Sequence, residues 1–139
     1  LDLGNFTYGS CDQVTPMVRR VICKNPSPFT YKGTGTYLIG EGQVAIVDPG
    51  PPLESHLDNI FDALQPGETI THAFVTHTHS DHSPLTASLK ERVGSISYGF
   101  GPHGAVKEED PNDRVDFSGY IPKKNKINTE KNTKIYLMS

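Results

Sequence analysis

Three of the six histidines of this chain fall within one short segment. Residues 76–84 read THTHSDHSP, an H-x-H-x-D-H pattern in which His77, His79, Asp81 and His82 carry side chains that bind divalent metals. His77 and His79 are two residues apart, so on extended chain they point to the same side. Asp81 and His82 follow at a turn, where neighbouring side chains can diverge. The spacing therefore predicts a hydrolytic zinc site with room for a second metal.

The flanking sequence indicates how these side chains are positioned. An apolar strand at 70–76 leads into the segment, and Ser83 and Pro84 are predicted to cap and begin a helix. Ligands collect at such places, between a strand end and a helix start, in open α/β sheets. The alternative is a polar loop that is rich in histidine and binds no metal.

Hydrophobic periodicity predicts five strands and two helices. We expect strands at 18–23, 37–39, 44–47, 70–76 and 96–100, and helices at 53–64 and 85–93. The order β-β-β-α-β-α-β, with the helices as crossovers, predicts a mixed β-sheet with two helices, an α/β (α+β) fold. Residues 1–15 are polar and turn-rich, 107–116 form a charged loop, and a short strand is expected at 135–138.

Composition limits the classes of protein that the chain can belong to. With 139 residues and a net charge of −3, it is expected to be one domain, and the total charge does not suggest a nucleic-acid partner. Residues 122–139 hold five Lys and one Glu. No apolar run is long enough to span a membrane, and a cytoplasmic location is expected. Cys11 and Cys23 are then expected to be free thiols.

Several segments of the sequence resemble the metallo-β-lactamase superfamily, and within it the β-lactamase-like protein 2 branch. These are NPSPFT at 25–30, GTGTYLIG at 33–40, DPG at 48–50 and the histidine segment at 76–84. YGFGPHG at 98–104 also resembles that branch. Gly35 stands where the branch usually has Asn. The resemblance covers about residues 16–104, and its most specific part is the histidine motif.

The resemblance implies an αββα sandwich, of which this chain carries the first half only, and a centre of up to two zinc ions. By position, His77 and His79 match ligands of the first metal, and Asp81 and His82 match ligands of the second. Asp81 would also act as the catalytic residue that orients the nucleophile and passes on a proton. Asp48 matches an aspartate that supports the site without binding metal.

The ligands that the family takes from its second half have no match here. These are a third histidine, a bridging aspartate and a last histidine, whereas beyond His82 this chain has only His103, in an unrelated context. We therefore expect the first half of the domain at 1–121 and a divergent Lys/Asn-rich tail at 122–139, solvated or disordered. Three explanations stay open: a truncated product, missing segments, or a half-domain completed by homodimerisation.

Three functions remain open. The first is a metal-dependent hydrolase that attacks a small-molecule thioester or ester, or the phosphodiester of single-stranded RNA. The second is a catalytically inert metal-binding fragment, or a half-domain that works only as a dimer. The third is a small histidine-rich binding module. Of the other histidines, His56 is expected on the exposed surface of the first helix, and His72 is expected to be an ordinary strand residue.

Overall fold

One mixed sheet with two helices forms the part of the chain that the structure describes. The computed structural model describes residues 5–99, together with the backbone of 122–128 and 134–138. The sheet has eight strands in the order β1-β2-β3-β4-β5-β6-β8-β7. The strands are β1 (Cys11–Thr15), β2 (Val18–Ile22), β3 (Gly35–Ile39), β4 (Gln43–Val47), β5 (Thr69–Val75), β6 (Ile96–Gly99), β7 (Pro122–Asn128) and β8 (Lys134–Met138), and the helices are α1 (Glu54–Asp62) and α2 (Leu85–Val93).

Three neighbouring strands run parallel at the centre of the sheet. The helix α1 connects β4 to β5 and α2 connects β5 to β6, and both strand pairs are parallel. The other pairs are antiparallel. Because the carboxyl ends of parallel strands meet at one edge of a sheet, the residues that follow β4 and β5 come together there. These are Asp48 and the histidine segment.

Both helices pack on one face of the sheet. The buried core joins Leu57 and Ile60 of α1 and Leu85 and Leu89 of α2 to inward-facing strand residues, among them Val21, Leu38, Val44, Ile46, Ile70 and Ala73. Alternate residues of the same strands point to the opposite face. There Ile39, Phe74 and Ile96 are exposed, and the rings of Phe74 and Tyr98 stack with their centroids 5.3 Å apart.

The predicted elements between 18 and 99 are confirmed within one or two residues at their ends, and so is the mixed sheet with two helices. The strand predicted at 135–138 is also present, as β8. Phe100 and the loop predicted at 107–116 lie outside the described residues. No helix among the described residues is long and apolar enough to cross a membrane.

The two ends of the chain contain strands that the sequence pattern does not predict. Residues 1–15 are polar and turn-rich, yet Cys11–Thr15 pairs antiparallel with β2. Its side chains are almost all exposed, so no alternation of apolar residues marks it. In the tail, β8 pairs with β6 and β7 pairs with β8, so these two segments are not disordered, and solvation of the tail stays a prediction. The division of the chain at residue 122 remains a prediction.

The start of α2 also differs from the prediction. Pro84 occupies the N-cap position, with helical angles, and no side chain caps the helix. The Ser83 hydroxyl donates instead to the His79 carbonyl at 3.4 Å. A hydrogen bond to a preceding carbonyl competes with the capping of following amides.

Candidate metal centre

A tight turn after β4 forms the base of the site. Asp48 follows the strand directly with a φ of 49°, and Gly50 has a φ of 105°. The Asp48 amide donates to the Phe74 carbonyl at 2.8 Å, which continues the pairing of β4 with β5. The Asp48 carboxylate accepts the Thr76 amide at 2.8 Å and the Thr76 hydroxyl at 2.7 Å. The turn therefore fixes Thr76, the first residue of the histidine segment.

The same turn holds the far end of the histidine segment. The Gly50 amide donates to the His82 carbonyl at 2.9 Å, and the Leu85 amide donates to the Gly50 carbonyl at 3.1 Å. The Asp48 Oδ2 atom lies 3.0 Å from His82 Nδ1, although the hydrogen-bond angle there is poor. Both ends of the segment are thus hydrogen-bonded to one turn.

A hydrogen-bond chain sets the tautomer of His77. The Thr76 hydroxyl gives its hydrogen to Asp48 Oδ2, so it must accept a hydrogen from His77 Nδ1, 2.9 Å away. Nε2 of a neutral His77 then carries the lone pair. Histidines that bind metals typically donate their other ring N–H in this way. Burial, followed by the neighbouring His82 and His79, lowers the pKa of His77 and favours this neutral form.

The three imidazoles of the segment pack against one another. The ring centroid of His77 lies 4.3 Å from that of His79 and 4.0 Å from that of His82. The His82 amide donates to the His79 carbonyl at 3.0 Å, which closes the turn between them. The structure therefore brings together the three histidines that the sequence singled out.

Asp81 and His82 do not diverge as their position at a turn suggested. Asp81 Oδ2 lies 3.1 Å from His82 Nε2, so the imidazole is placed between the carboxylates of Asp81 and Asp48. Two carboxylates attract the N–H groups of one ring, and this draws the side chains together. Burial alone would lower the pKa of His82, but the contacts with Asp48 and Asp81 outweigh it and raise that pKa.

The pKa of the Asp48 carboxyl is shifted in the opposite direction. Burial alone would raise its pKa, but the contact with His82 and the hydrogen bonds from Thr76 outweigh burial, so the pKa of Asp48 is lowered. Asp48 is therefore ionised at neutral pH and nearly buried.

Sequence reasoning missed two residues that support Asp81. The Thr34 hydroxyl donates to Asp81 Oδ2 at 3.3 Å and accepts from the Asn25 amide group at 3.0 Å. The Asn25 Oδ1 atom in turn accepts the Thr34 amide at 2.9 Å. Both residues lie in the segments 25–30 and 33–40 that resemble the family, and that resemblance was the only signal available for them.

The buried thiol near Asp81 is not a nucleophile at neutral pH. Burial, with a smaller contribution from Asp81, raises the pKa of Cys23 to about 11. Both Cys23 and Cys11 are free, as predicted. His72 lies in β5, also as predicted, and its ring stacks with Phe74, whereas His103 lies outside the described residues.

The prediction for His56 is wrong. Its side chain is buried, with 2% exposure, and its Nε2 atom lies 2.8 Å from the Thr36 hydroxyl. The apolar stripe of α1 includes Leu57 and Ile60, and His56 lies on the same side of the helix. The polarity of histidine suggested an exposed residue, but the helical period places it inside.

The donor set fits a divalent cation in its chemistry. Two carboxylates face the imidazole cluster, and His77 has the tautomer of a metal ligand. In the part of the chain that the structure describes, however, no group of three or more His, Cys, Asp or Glu side chains is arranged to hold a metal ion. The ligand types are present, and their present arrangement is not that of a closed site.

Comparison with known proteins decides the family. A family profile described as the metallo-beta-lactamase superfamily matches residues 33–122, more than half of the chain. The chain belongs to this superfamily. The resemblance noted in the sequence is thereby confirmed, and the match includes Asp48 and the histidine segment. The narrower β-lactamase-like protein 2 branch remains a prediction.

Several members of the metallo-β-lactamase superfamily are similar over part of their length. An atrochrysone carboxyl ACP thioesterase of Cryptosporiopsis sp. is 32% identical over 102 residues, 72% of this chain and 32% of that protein. One from Passalora fulva is 41% identical over 80 residues, 56% of this chain and 24% of that protein. The chain thus spans about a third or less of the length of these curated relatives.

A solved structure supports the fold. A β-lactamase domain protein from Burkholderia ambifaria matches with a TM-score of 0.53 and 29% identity, covering 66% of this chain and 30% of that one. The mixed sheet with two helices is therefore a partial metallo-β-lactamase fold, and the chain covers its N-terminal part.

Proposed function

We propose that this chain supplies the N-terminal half of the site of a metal-dependent hydrolase that cleaves thioesters. One observation carries the proposal: the hydrogen-bond chain from His77 Nδ1 through Thr76 to Asp48, which leaves His77 Nε2 as a lone-pair donor beside His79 and His82. The hydrolase fold of the superfamily and relatives that are named thioesterases support it.

His77, His79, Asp81 and His82 would hold the metal, with zinc as the proposed ion and up to two ions in a complete site. A bound divalent ion supplies Lewis acidity and a water of lowered pKa. Asp48 accepts a hydrogen bond from Thr76, and this keeps His77 in the tautomer with its hydrogen on Nδ1. Further ligands would come from outside the described residues, either in a longer chain or in a second copy.

Asp81 is the proposed catalytic residue. Thr34 and His82 both contact its Oδ2 atom, which fixes the orientation of the carboxylate. We assign proton transfer to Oδ1, the oxygen that neither of them contacts. A carboxylate placed beside the reacting water can accept its proton and return it to the leaving thiolate.

Thioesters are preferred over single-stranded RNA because the relatives are named as thioesterases. The proposed substrate is thus a small-molecule or carrier-bound thioester. A cytoplasmic location and a homodimer that completes the site are part of the same proposal. The second candidate, an inert metal-binding fragment, is favoured by the present arrangement of the ligands, which is not that of a closed site.

Turnover with and without zinc tests the proposal. Hydrolysis of an acyl thioester, followed by release of the thiol, is expected with zinc and lost after chelation, and a phosphodiester should react more slowly. His77→Ala and Asp81→Asn should abolish it, whereas His72→Ala, a matched histidine outside the site, should retain it. Zinc binding without turnover would favour the inert fragment. Turnover that survives His77→Ala would exclude the proposed site.

A further inference from the structure

A buried histidine on α1 is hydrogen-bonded to the back of the Asp48–Gly50 turn. Thr36 Oγ1 donates its only hydrogen to the Asp48 carbonyl at 2.7 Å. It must therefore accept a hydrogen from His56 Nε2, 2.8 Å away. This fixes the Nε2–H tautomer of His56. A chain of two hydrogen bonds then runs from the helix to the main chain of Asp48.

The His56 ring also touches the turn directly. A Cβ atom placed on Gly50 would lie 2.9 Å from His56 Cδ2, so the ring lies against the bare backbone of the glycine. Gly50 is the residue whose amide holds the His82 carbonyl and whose carbonyl accepts the Leu85 amide. The histidine thus packs behind the contact that anchors His82 and the start of α2.

The second ring nitrogen of His56 distinguishes the imidazole from an apolar side chain of similar size. Its Nδ1 atom is buried and has no hydrogen-bond partner among the described residues. A leucine would fill a similar volume without desolvating that nitrogen. The favourable contribution of the imidazole is therefore its Nε2–H bond to Thr36. Burial lowers the pKa of His56 to about 4, so the ring stays neutral and keeps this bond at neutral pH.

We propose that His56 is a positioning residue that acts through Thr36 and Gly50. By holding the turn, it keeps the Asp48 carboxylate against Thr76 and the main chain of His82 in place. The conformation at Asp48 and Gly50 has a positive φ, which is costly for Asp48 and needs support from its surroundings. The importance of this positioning for chemistry rests on the function proposed above, but the positioning itself does not.

Amide hydrogen exchange of the metal-free 139-residue chain tests the positioning. The Thr76 amide bonds to the Asp48 carboxylate and the Gly50 amide to the His82 carbonyl, so their exchange rates report on both contacts. His56→Leu removes the bond to Thr36, and we expect these two amides to exchange about tenfold faster relative to the amides of the central strands. His56→Gln can still donate from a nitrogen in the Nε2 position and should restore slow exchange.

Two controls separate positioning from general stability. Ile60→Val lies on the same buried face of α1 and should lower global stability without selective release of the two amides. Thr36→Val breaks the same hydrogen-bond chain with little change in volume, and Thr36→Ser keeps it, so this pair carries the test should His56→Leu not fold. Uniformly faster exchange, or selective release in His56→Gln as well as His56→Leu, would overturn the proposal.

A zinc titration of the same samples separates this proposal from the proposed function. Failure of the unmodified chain to bind zinc would count against the metal-dependent hydrolase. The amide pattern would still decide the role of His56, because it is measured without metal. In this titration, His56→Leu should lower the affinity of the chain for zinc more than Ile60→Val does.

Discussion

The Asp48–Gly50 turn separates two regions that shift the pKa of a histidine in opposite directions. Behind the turn, His56 is buried next to Thr36 and Gly50, and burial lowers its pKa to about 4. In front of it, His82 is also partly buried, but Asp48 and Asp81 raise its pKa. Burial favours the neutral ring at both positions, and the neighbouring carboxylates reverse this at His82.

The two sides of the Asp48–Gly50 turn therefore have different roles. The neutral side holds the backbone of the turn through hydrogen bonds that do not depend on charge. The charged side places two carboxylates around one imidazole and thus favours a positive charge, whether a proton on His82 or a divalent cation. Substitutions on the two sides should therefore have different consequences.

The largest effect on stability is expected at Asp48, which contacts both ends of the histidine segment. Asp48→Ala leaves the Thr76 amide and hydroxyl without their acceptor and His82 without a carboxylate. We expect a loss of roughly 3–5 kcal/mol in the free energy of unfolding, measured with urea. Asp48→Asn tolerates the positive φ and keeps one acceptor, so it should lose less. A loss of less than about 1 kcal/mol in Asp48→Ala would mean that the carboxylate is not what holds the segment.

The next largest effect is a dependence on pH that comes from the neutral side. Because the pKa of His56 falls from 6.5 to about 4 on folding, the unfolded chain binds the proton more tightly. Stability is therefore lost as the pH falls from 6.5 to 4, by roughly 3 kcal/mol from this residue.

His56→Gln isolates that contribution, since glutamine does not titrate. Denaturation with urea at pH values between 4 and 7 should give a smaller loss of stability in this variant than in the unmodified chain. The contributions of Asp48 and His82 are common to both proteins and cancel in the difference. Identical pH profiles would show that His56 is not buried as a neutral ring.

The smallest effect on stability is expected on the charged side, at Asp81. Its carboxylate is partly exposed, and His82 keeps its contact with Asp48 when Asp81 is replaced. Asp81→Asn should change the free energy of unfolding by less than about 1 kcal/mol. The same variant should bind zinc at least about tenfold more weakly, because it loses an anionic ligand. A stability loss as large as that of Asp48→Ala would remove the distinction between the two carboxylates.

The sequence allowed most of the fold to be predicted, for a physical reason. Strands β3 and β4 alternate buried and less buried residues, and each helix buries one face, so their periods are visible in the sequence. An edge strand such as Cys11–Thr15 buries almost nothing and is held by backbone hydrogen bonds, which leave little trace in the side chains. The lysine-rich strand Pro122–Asn128 shows no alternation of apolar residues in its sequence either.

The ligand types of the site could be predicted, but their supports could not. His77, His79, Asp81 and His82 stand together in one segment, and local spacing is enough to recognise them. Asn25, Thr34 and Thr36 lie far from the histidine segment in sequence, and only the folding of the chain brings them close to it. His56 was predicted on the wrong side of its helix, because the polarity of a single residue was weighted above the period of the whole helix.

Zinc-edge anomalous diffraction from crystals of the chain grown or soaked in zinc tests whether these side chains bind the ion. We expect a peak among the imidazoles of His77, His79 and His82 and the Asp81 carboxylate, at about 2.0–2.2 Å from their ligand atoms. The Asp48–Thr76 hydrogen bonds should be unchanged. Zinc bound only elsewhere on the chain, with the three imidazoles still packed on one another, would contradict it.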